Sequence, residues 1–427
     1  MRDLLSEYRE IRYPRNVGLI SLSHGVNEFY SIVLPPVIPL LVADFNITYA
    51  QAGLLLTVFF VMYSVFQLPA GLVADRAGKK RVLVLGLAGM AGSLVVASAA
   101  SSYEALLAAQ VLAGISGSTY HPTGMSLVSD IESDATEGKA MGVFGFGGML
   151  GVAGAPLGVG GVAALFGWRA ALVVAALGGL VFVAVFQVFF RDPDGAADRP
   201  ATVSDGGKTE PGGSGSADGL VARARESLAA TLRFRITPTV VVLALLTLLI
   251  SLQLRALHTF ATGFLVDGLG RSTSLANGLF FVMLAASAVA SIWIGSLADR
   301  LNRHLLGTAA AGTTTVVLGA TYFLTVGDGG TGGLSATALL AAAFALLGFA
   351  VYGCSPVKNA LISEHATAES SGGLFGVTQT TSAVGSAVGP AVFGYVATEA
   401  GVDVAFPLVA VVSVLIAVGF VLLARVG

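Results

Sequence analysis

Apolar runs of about 20 residues follow one another along this chain, separated by short polar breaks. Wound as a helix, a run of that length crosses a hydrocarbon layer ~30 Å thick. The pattern predicts an all-α membrane protein with twelve helices, at 17–42, 48–73, 82–100, 104–128, 139–165 and 169–190, then 237–266, 274–297, 305–326, 335–362, 372–397 and 402–424. Glycine and proline recur inside these runs. They would break soluble helices, but membrane helices tolerate them, and small residues let helices approach closely. The 55 glycines are therefore read as packing positions.

Composition points the same way. Hydrophobic residues make up 55% and charged residues 11%, with a mean hydropathy of +0.83, whereas soluble proteins carry about 25% charged residues. The lone cysteine, Cys354, excludes an intrachain disulfide and a cysteine-only metal cluster, and reads as a small packing residue. No nucleotide loop, metal cluster or catalytic triad is legible. Neither an enzyme, a cofactor nor a nucleic-acid partner is expected; the partners expected are the lipid bilayer and a small molecule.

Lysine and arginine fix the orientation. With a cytoplasmic N-terminus, the inside segments hold Arg2, Arg9, Arg12 and Arg15, Arg76, Lys79, Lys80 and Arg81, Lys139, seven residues between 191 and 235, Arg300, Arg303 and Arg425. The outside loops keep Arg169 and Arg271. Basic residues concentrate on the cytoplasmic side of membrane proteins, so both termini are expected there. Residues 1–16 mix acids with arginines and lack a small-residue cleavage site, unlike a signal peptide.

The sequence repeats itself. Pro122 and Pro356, Asp130 and Glu364, Pro156 and Pro390, and Gly151 and Gly385 share an offset of 234 residues. Asp75 and Asp299 are 224 apart, inside Gly71-Leu-Val-Ala-Asp75-Arg76-Ala-Gly78-Lys79-Lys80-Arg81 and its shorter echo Gly295-Ser-Leu-Ala-Asp299-Arg300. Two parallel six-helix bundles are predicted, 1–190 and 237–427, joined by a cytoplasmic loop at 191–236. The Gly-, Asp-, Pro- and Ser-rich first part of that loop reads as flexible. Its second part reads as an interfacial helix or as a basic linker that sets topology. A monomer is expected, since one chain carries both halves.

Ionisable groups inside a membrane are costly and mark function. Away from helix ends they are His24 and Glu28 in the first span, His121 in the fourth, Arg255 and His258 in the seventh and Lys358 in the tenth. These spans are equivalent under the repeat. At ~1.5 Å per residue, His24, Glu28, His121 and Lys358 come out ~9–16 Å from the cytoplasmic ends of their helices and are expected to share an inner chamber. Arg255 and His258 come out ~27 Å or more away, as a separate outer site or gate. His24 and Glu28 share a helix face, which suits either proton coupling or a structural ion pair. Arg255 and Lys358 favour an anionic or zwitterionic substrate.

The loop Gly71–Arg81 resembles the motif between the second and third helices of the major facilitator superfamily. That resemblance implies a transporter of the cell membrane working by alternating access. It also implies a cytoplasmic gate formed by Gly71, Asp75, Arg76, Gly78, Lys79, Lys80 and Arg81, with Asp299 and Arg300 as weaker counterparts and Asp75 meeting the start of the eleventh span at Ser370–Gly373. Gly151, Pro156 and Gly160, with Gly389 and Pro390, resemble the glycine-proline motif of proton-coupled drug antiporters, or serve as helix packing. Ala155 departs from that motif, and Gln110 stands where the antiporters carry an arginine. Ser23-His24-Gly-Val-Asn27-Glu28-Phe-Tyr30, Gly117-Ser-Thr-Tyr120-His121-Pro122 and Arg255 are similar to the fosmidomycin-resistance branch. The resemblance implies proton-driven efflux, with uptake symport and a non-transporting sensor as rivals.

Overall fold

The structure is a computed structural model that describes residues 11–133, 135–191, 236–326, 334–366 and 371–426. The possible interfacial helix before residue 236 and the Ser370 end of the expected gate fall outside those residues.

Every described element is a helix or helical turn. In chain order these are α1 (Pro14–Ser31), a 3-10 turn (Pro35–Val37), α2 (Ile38–Phe45), α3 (Tyr49–Ala77), α4 (Lys79–Ser98), α5 (Tyr103–Gly117), α6 (Tyr120–Ile131) and α7 (Glu137–Phe189). There follow α8 (Pro238–Gly263) with a π turn (Phe264–Gly268), α9 (Thr273–Ala298), α10 (Arg303–Val326), α11 (Leu334–His365), α12 (Ser371–Ala400) and α13 (Val402–Val426). Among the described residues, eight helical segments are long and apolar enough to cross a membrane.

Local chemistry sets the breaks. Pro35 and Pro36 cannot donate to the preceding turn, so the first apolar run divides into α1, the 3-10 turn and α2. The 53 residues of α7 contain both the fifth and the sixth run, and the chain turns between them at Gly167, whose φ of +82° suits glycine. Gly78, with φ +92°, likewise ends α3 and opens α4. The second copy of the loop has no such glycine, and there the Asn302 side chain accepts from the Leu305 N–H at the start of α10.

Helix pairs recur between the two halves: α1 packs on α7 and α8 on α12, α3 on α5 and α9 on α11, α4 on α7 and α10 on α13. Glycines permit the closest approaches. Gly147 and Gly151 rest on the backbone of Ser21 and Gly25, and Gly385 and Gly389 rest on Leu248 and Leu252. Pro156 and Pro390 are buried within helices. Packing thus accounts for most of the glycine-proline motif. Gly160 sits against Asn277 of α9.

The halves touch each other through α3 with α12 and α7 with α9. Those contacts gather near the ends carrying Tyr49 and Asn277. Tyr49 donates from its hydroxyl to Asp267, the Ala50 N–H donates to Thr398 Oγ1 at 2.8 Å, Thr57 Oγ1 donates to the Ala387 carbonyl at 2.7 Å, and Asn277 Nδ2 donates to the Pro36 carbonyl at 3.1 Å. The molecule is closed at this end. At the other end α3 and α12 separate around a cavity.

Candidate functional site

The site begins on α1, where Ser23, His24, Asn27 and Glu28 lie within a turn and a half. His24 is held on every side. Its Nδ1–H donates to the Phe144 carbonyl at 2.8 Å, and its ring stacks on Phe144, 4.0 Å away by centroids, with Tyr120 5.5 Å away and the three rings nearly parallel. Tyr120 is pinned through its hydroxyl to Ser23 and the Ile20 carbonyl. Gly148 makes room for the imidazole: a Cβ there would stand 2.6 Å from His24 Cε1.

His121 arrives from α6. The fourth run is interrupted between Gly117 and Tyr120, with Pro122 just inside the new helix. His121 Nε2 thereby reaches 3.4 Å from Glu28 Oε1, while His24 Nε2 lies 3.7 Å from the same oxygen. Asn27 Nδ2 donates to Glu28 Oε1 at 3.1 Å and Ser31 Oγ to Oε2 at 3.4 Å. The two imidazoles and the carboxylate offer three donor atoms within 4.8 Å of one another. Among the described residues, these side chains could hold a metal ion.

Arg255 and His258 enter the same space from α8. A cavity of about 290 Å³ is lined by His24, Glu28, His121, Arg255, His258 and Tyr352, among others. A second, of about 570 Å³, shares Glu28, His121 and Arg255 and continues past Ser64, Gln67 and Gln379. Arg255 and His258 therefore do not form a separate outer site. Distances counted from each helix's own start ignore where the helices begin, and α1 begins at Pro14, which raises Glu28 toward Arg255. The Arg255 guanidinium stacks 4.2 Å over the Phe60 ring, an arrangement that holds the cation without neutralising it. No carboxylate stands within ion-pair distance of it among the described residues. His258 Nε2 is 2.9 Å from the Tyr352 hydroxyl.

Lys358 does not join them. It is partly buried on α11, but it lines neither cavity and has no hydrogen bond or ion pair among the described residues. Tyr352, which lines the cavity from the same helix, is six residues away, ~9 Å along the axis.

At the open end, Gly71 and Asp75 line a further opening of about 440 Å³ with Gln67 and Pro122. Asp75, Arg76, Gly78 and Arg81 are exposed, and Asp75 has no hydrogen-bond or ion-pair partner among the described residues. The basic residues of the loop work inside their own half. Lys79 Nζ lies 2.5 Å from Asp130 Oδ2, and Lys80 Nζ donates to the Phe190 carbonyl at the end of α7 at 2.8 Å. In the second copy Arg303 Nη1 lies 2.7 Å from Glu364 Oε2, so the two acids that share the 234-residue offset hold equivalent positions. Asp299 is exposed, 4.0 Å from Arg303, and Arg300 is exposed.

A search for charge in the membrane could not find Asn27, Phe60, Tyr63 or Tyr352, which are uncharged. Asn27 is marked by its place next to Glu28, whereas Phe60, Tyr63 and Tyr352 have no charged residue beside them in the sequence and are brought to the cavities by helix packing.

A family model described as the Major Facilitator Superfamily matches residues 20–337. The fosmidomycin resistance protein of Escherichia coli (strain K12) is 31% identical over 141 residues, 33% of this chain and 34% of that protein. The probable 4-methylmuconolactone transporter of Cupriavidus pinatubonensis is 30% identical over 150 residues, 35% of this chain and 30% of that protein. The chain thus spans about a third of the length of these curated relatives. Among solved structures, a bacterial homologue of the human lysosomal transporter Spinster, in an inward-facing and unoccupied conformation, is 17% identical, with a TM-score of 0.75 over 96% of this chain and 97% of that one. That likeness concerns the fold.

Proposed function

Because the chain belongs to the major facilitator superfamily, we propose that it exports a small anionic or zwitterionic solute across the plasma membrane, driven by protons. The superfamily makes it a multi-pass membrane transporter of the drug-efflux or solute-transport type. The finer reading is of twelve helices in two six-helix bundles, 1–190 and 237–427, with both termini in the cytoplasm and one chain as the transporting unit. The cavity at the bundle interface then opens to the cytoplasm beside Asp75, and closure at the Tyr49 end corresponds to an inward-facing state. Alternating access rocks the bundles about the cavity. In the opposite state Asp75 meets the start of α12, whose exposed N–H groups favour a negative charge.

One observation carries the reading. Among the described residues Glu28 is the acid lining both cavities, and Arg255 lines them with it. A cation held over an aromatic ring suits an incoming carboxylate or phosphonate, and a carboxylate between two imidazoles suits a proton that must be exchanged for it. Proteoliposomes under an imposed pH gradient, given a panel of carboxylates and phosphonates, test this. Gradient-driven accumulation that a protonophore abolishes supports it; transport indifferent to the gradient contradicts it.

Uptake symport is the second reading, since an acid and a cation lining the same cavities would serve a proton and an anion entering together. Counterflow under the same gradient separates the two directions.

A further inference from the structure

His24 Nε2, Glu28 Oε1 and His121 Nε2 form a small triangle. Its two edges from Glu28 measure 3.7 and 3.4 Å. Ligand atoms around a tetrahedral ion bound at ~2.0–2.2 Å stand about 3.4 Å apart, so the two edges from Glu28 are already near that spacing, and the imidazole nitrogens, within 4.8 Å of each other, would draw together around the ion.

His24 supplies the independent sign. It is 8% exposed, and its Nε2 is buried with no hydrogen-bond partner. Since Nδ1 gives its hydrogen to the Phe144 carbonyl, the neutral ring carries its lone pair on Nε2, aimed at Glu28. At 3.7 Å from the carboxylate, that nitrogen is too far to share a proton with it. An imidazole fixed by a backbone carbonyl at one nitrogen and free at the other is how proteins orient metal ligands. The stacking of Phe144 and Tyr120 and the bond from Asn27 to Glu28 complete such a support.

We propose that His24, Glu28 and His121 bind a divalent transition-metal ion of the zinc type, with a fourth position open to the cavity. Two imidazoles and a carboxylate match Zn²⁺ and its neighbours and disfavour Mg²⁺ and Ca²⁺, which take oxygen ligands. The site stands whether or not protons drive transport.

The test uses the full-length chain without an affinity tag, in detergent micelles, titrated with Zn²⁺ against a chromogenic chelator and with Co²⁺ followed by its visible absorption. One ion per chain is expected, with a tetrahedral Co²⁺ spectrum that excess Mg²⁺ does not erase. Glu28→Gln and His121→Asn weaken binding more than ~10-fold, whereas His304→Asn and His365→Asn leave it unchanged. His121→Cys keeps a metal donor, so it binds where the asparagine variant fails, which separates loss of a ligand from loss of the fold. No uptake by the wild type, or equal affinity in the wild type, Glu28→Gln and His121→Asn, would overturn the site.

Discussion

Glu28 Oε1 lies 3.4 Å from His121 Nε2, across the contact between α1 and α6. Two residues from separate helices thus line the cavity that Arg255 also lines.

Arg255 is expected to recognise the solute's negative charge. Arg255→Ala weakens binding of an anionic substrate by about 10- to 100-fold, the value of a hydrogen bond to a charged group. Arg255→Lys restores it poorly, since the planar stack on Phe60 and the forked donor are lost. Transport KM for a carboxylate against an uncharged analogue measures this. The charged compound alone is affected.

Room for His24 depends on Gly148. Gly148→Ala places a methyl 2.6 Å from the imidazole, and overpacking of this kind costs about 1–3 kcal/mol. The variant melts at a lower temperature in detergent and loses transport. Gly142→Ala, with nothing within 4 Å of its added methyl, leaves both unchanged.

Much of the fold could be read from the sequence, because lipid forces long apolar helices and the runs at 274–297 and 402–424 end within two residues of α9 and α13. Less legible was anything set by how helices stand relative to one another. Arg255 was placed too far out because rise along α8 says nothing of its offset from α1. Lys358 stands outside the cluster because α11 meets the cavity at Tyr352, more than a turn away, and a count from the end of α11 does not give the level at which it meets its neighbours. His24, Glu28 and His121 were each visible as costly charges, but their convergence depends on Gly148 and on the break before Tyr120, which no spacing announces.

The duplicated loop braces each half. Lys79 and Asp130 are 22% and 39% exposed, so solvent screening limits their pairing to roughly 0.5 kcal/mol. Lys79→Asp is expected to lower the melting temperature slightly, and the exchange Lys79→Asp with Asp130→Lys to recover it. Thermal melts of the two single variants and the double variant form the cycle that measures the coupling.

Closure at the Tyr49 end can be trapped. The Ala50 N–H meets Thr398 Oγ1 at 2.8 Å, and the natural cysteine, Cys354, is buried. Oxidation of an Ala50→Cys, Thr398→Cys pair is expected to form a disulfide and stop transport, and reduction to restart it. Full transport with the crosslink in place would rule out alternating access through this end.

The most direct measurement is of solid-supported-membrane currents evoked by an anionic substrate, for the wild type and Glu28→Gln, in buffers containing a metal chelator. Proton coupling through Glu28 predicts pH-dependent current in the wild type and loss of coupled current in the variant while substrate binding persists. Identical currents from the two proteins would contradict it.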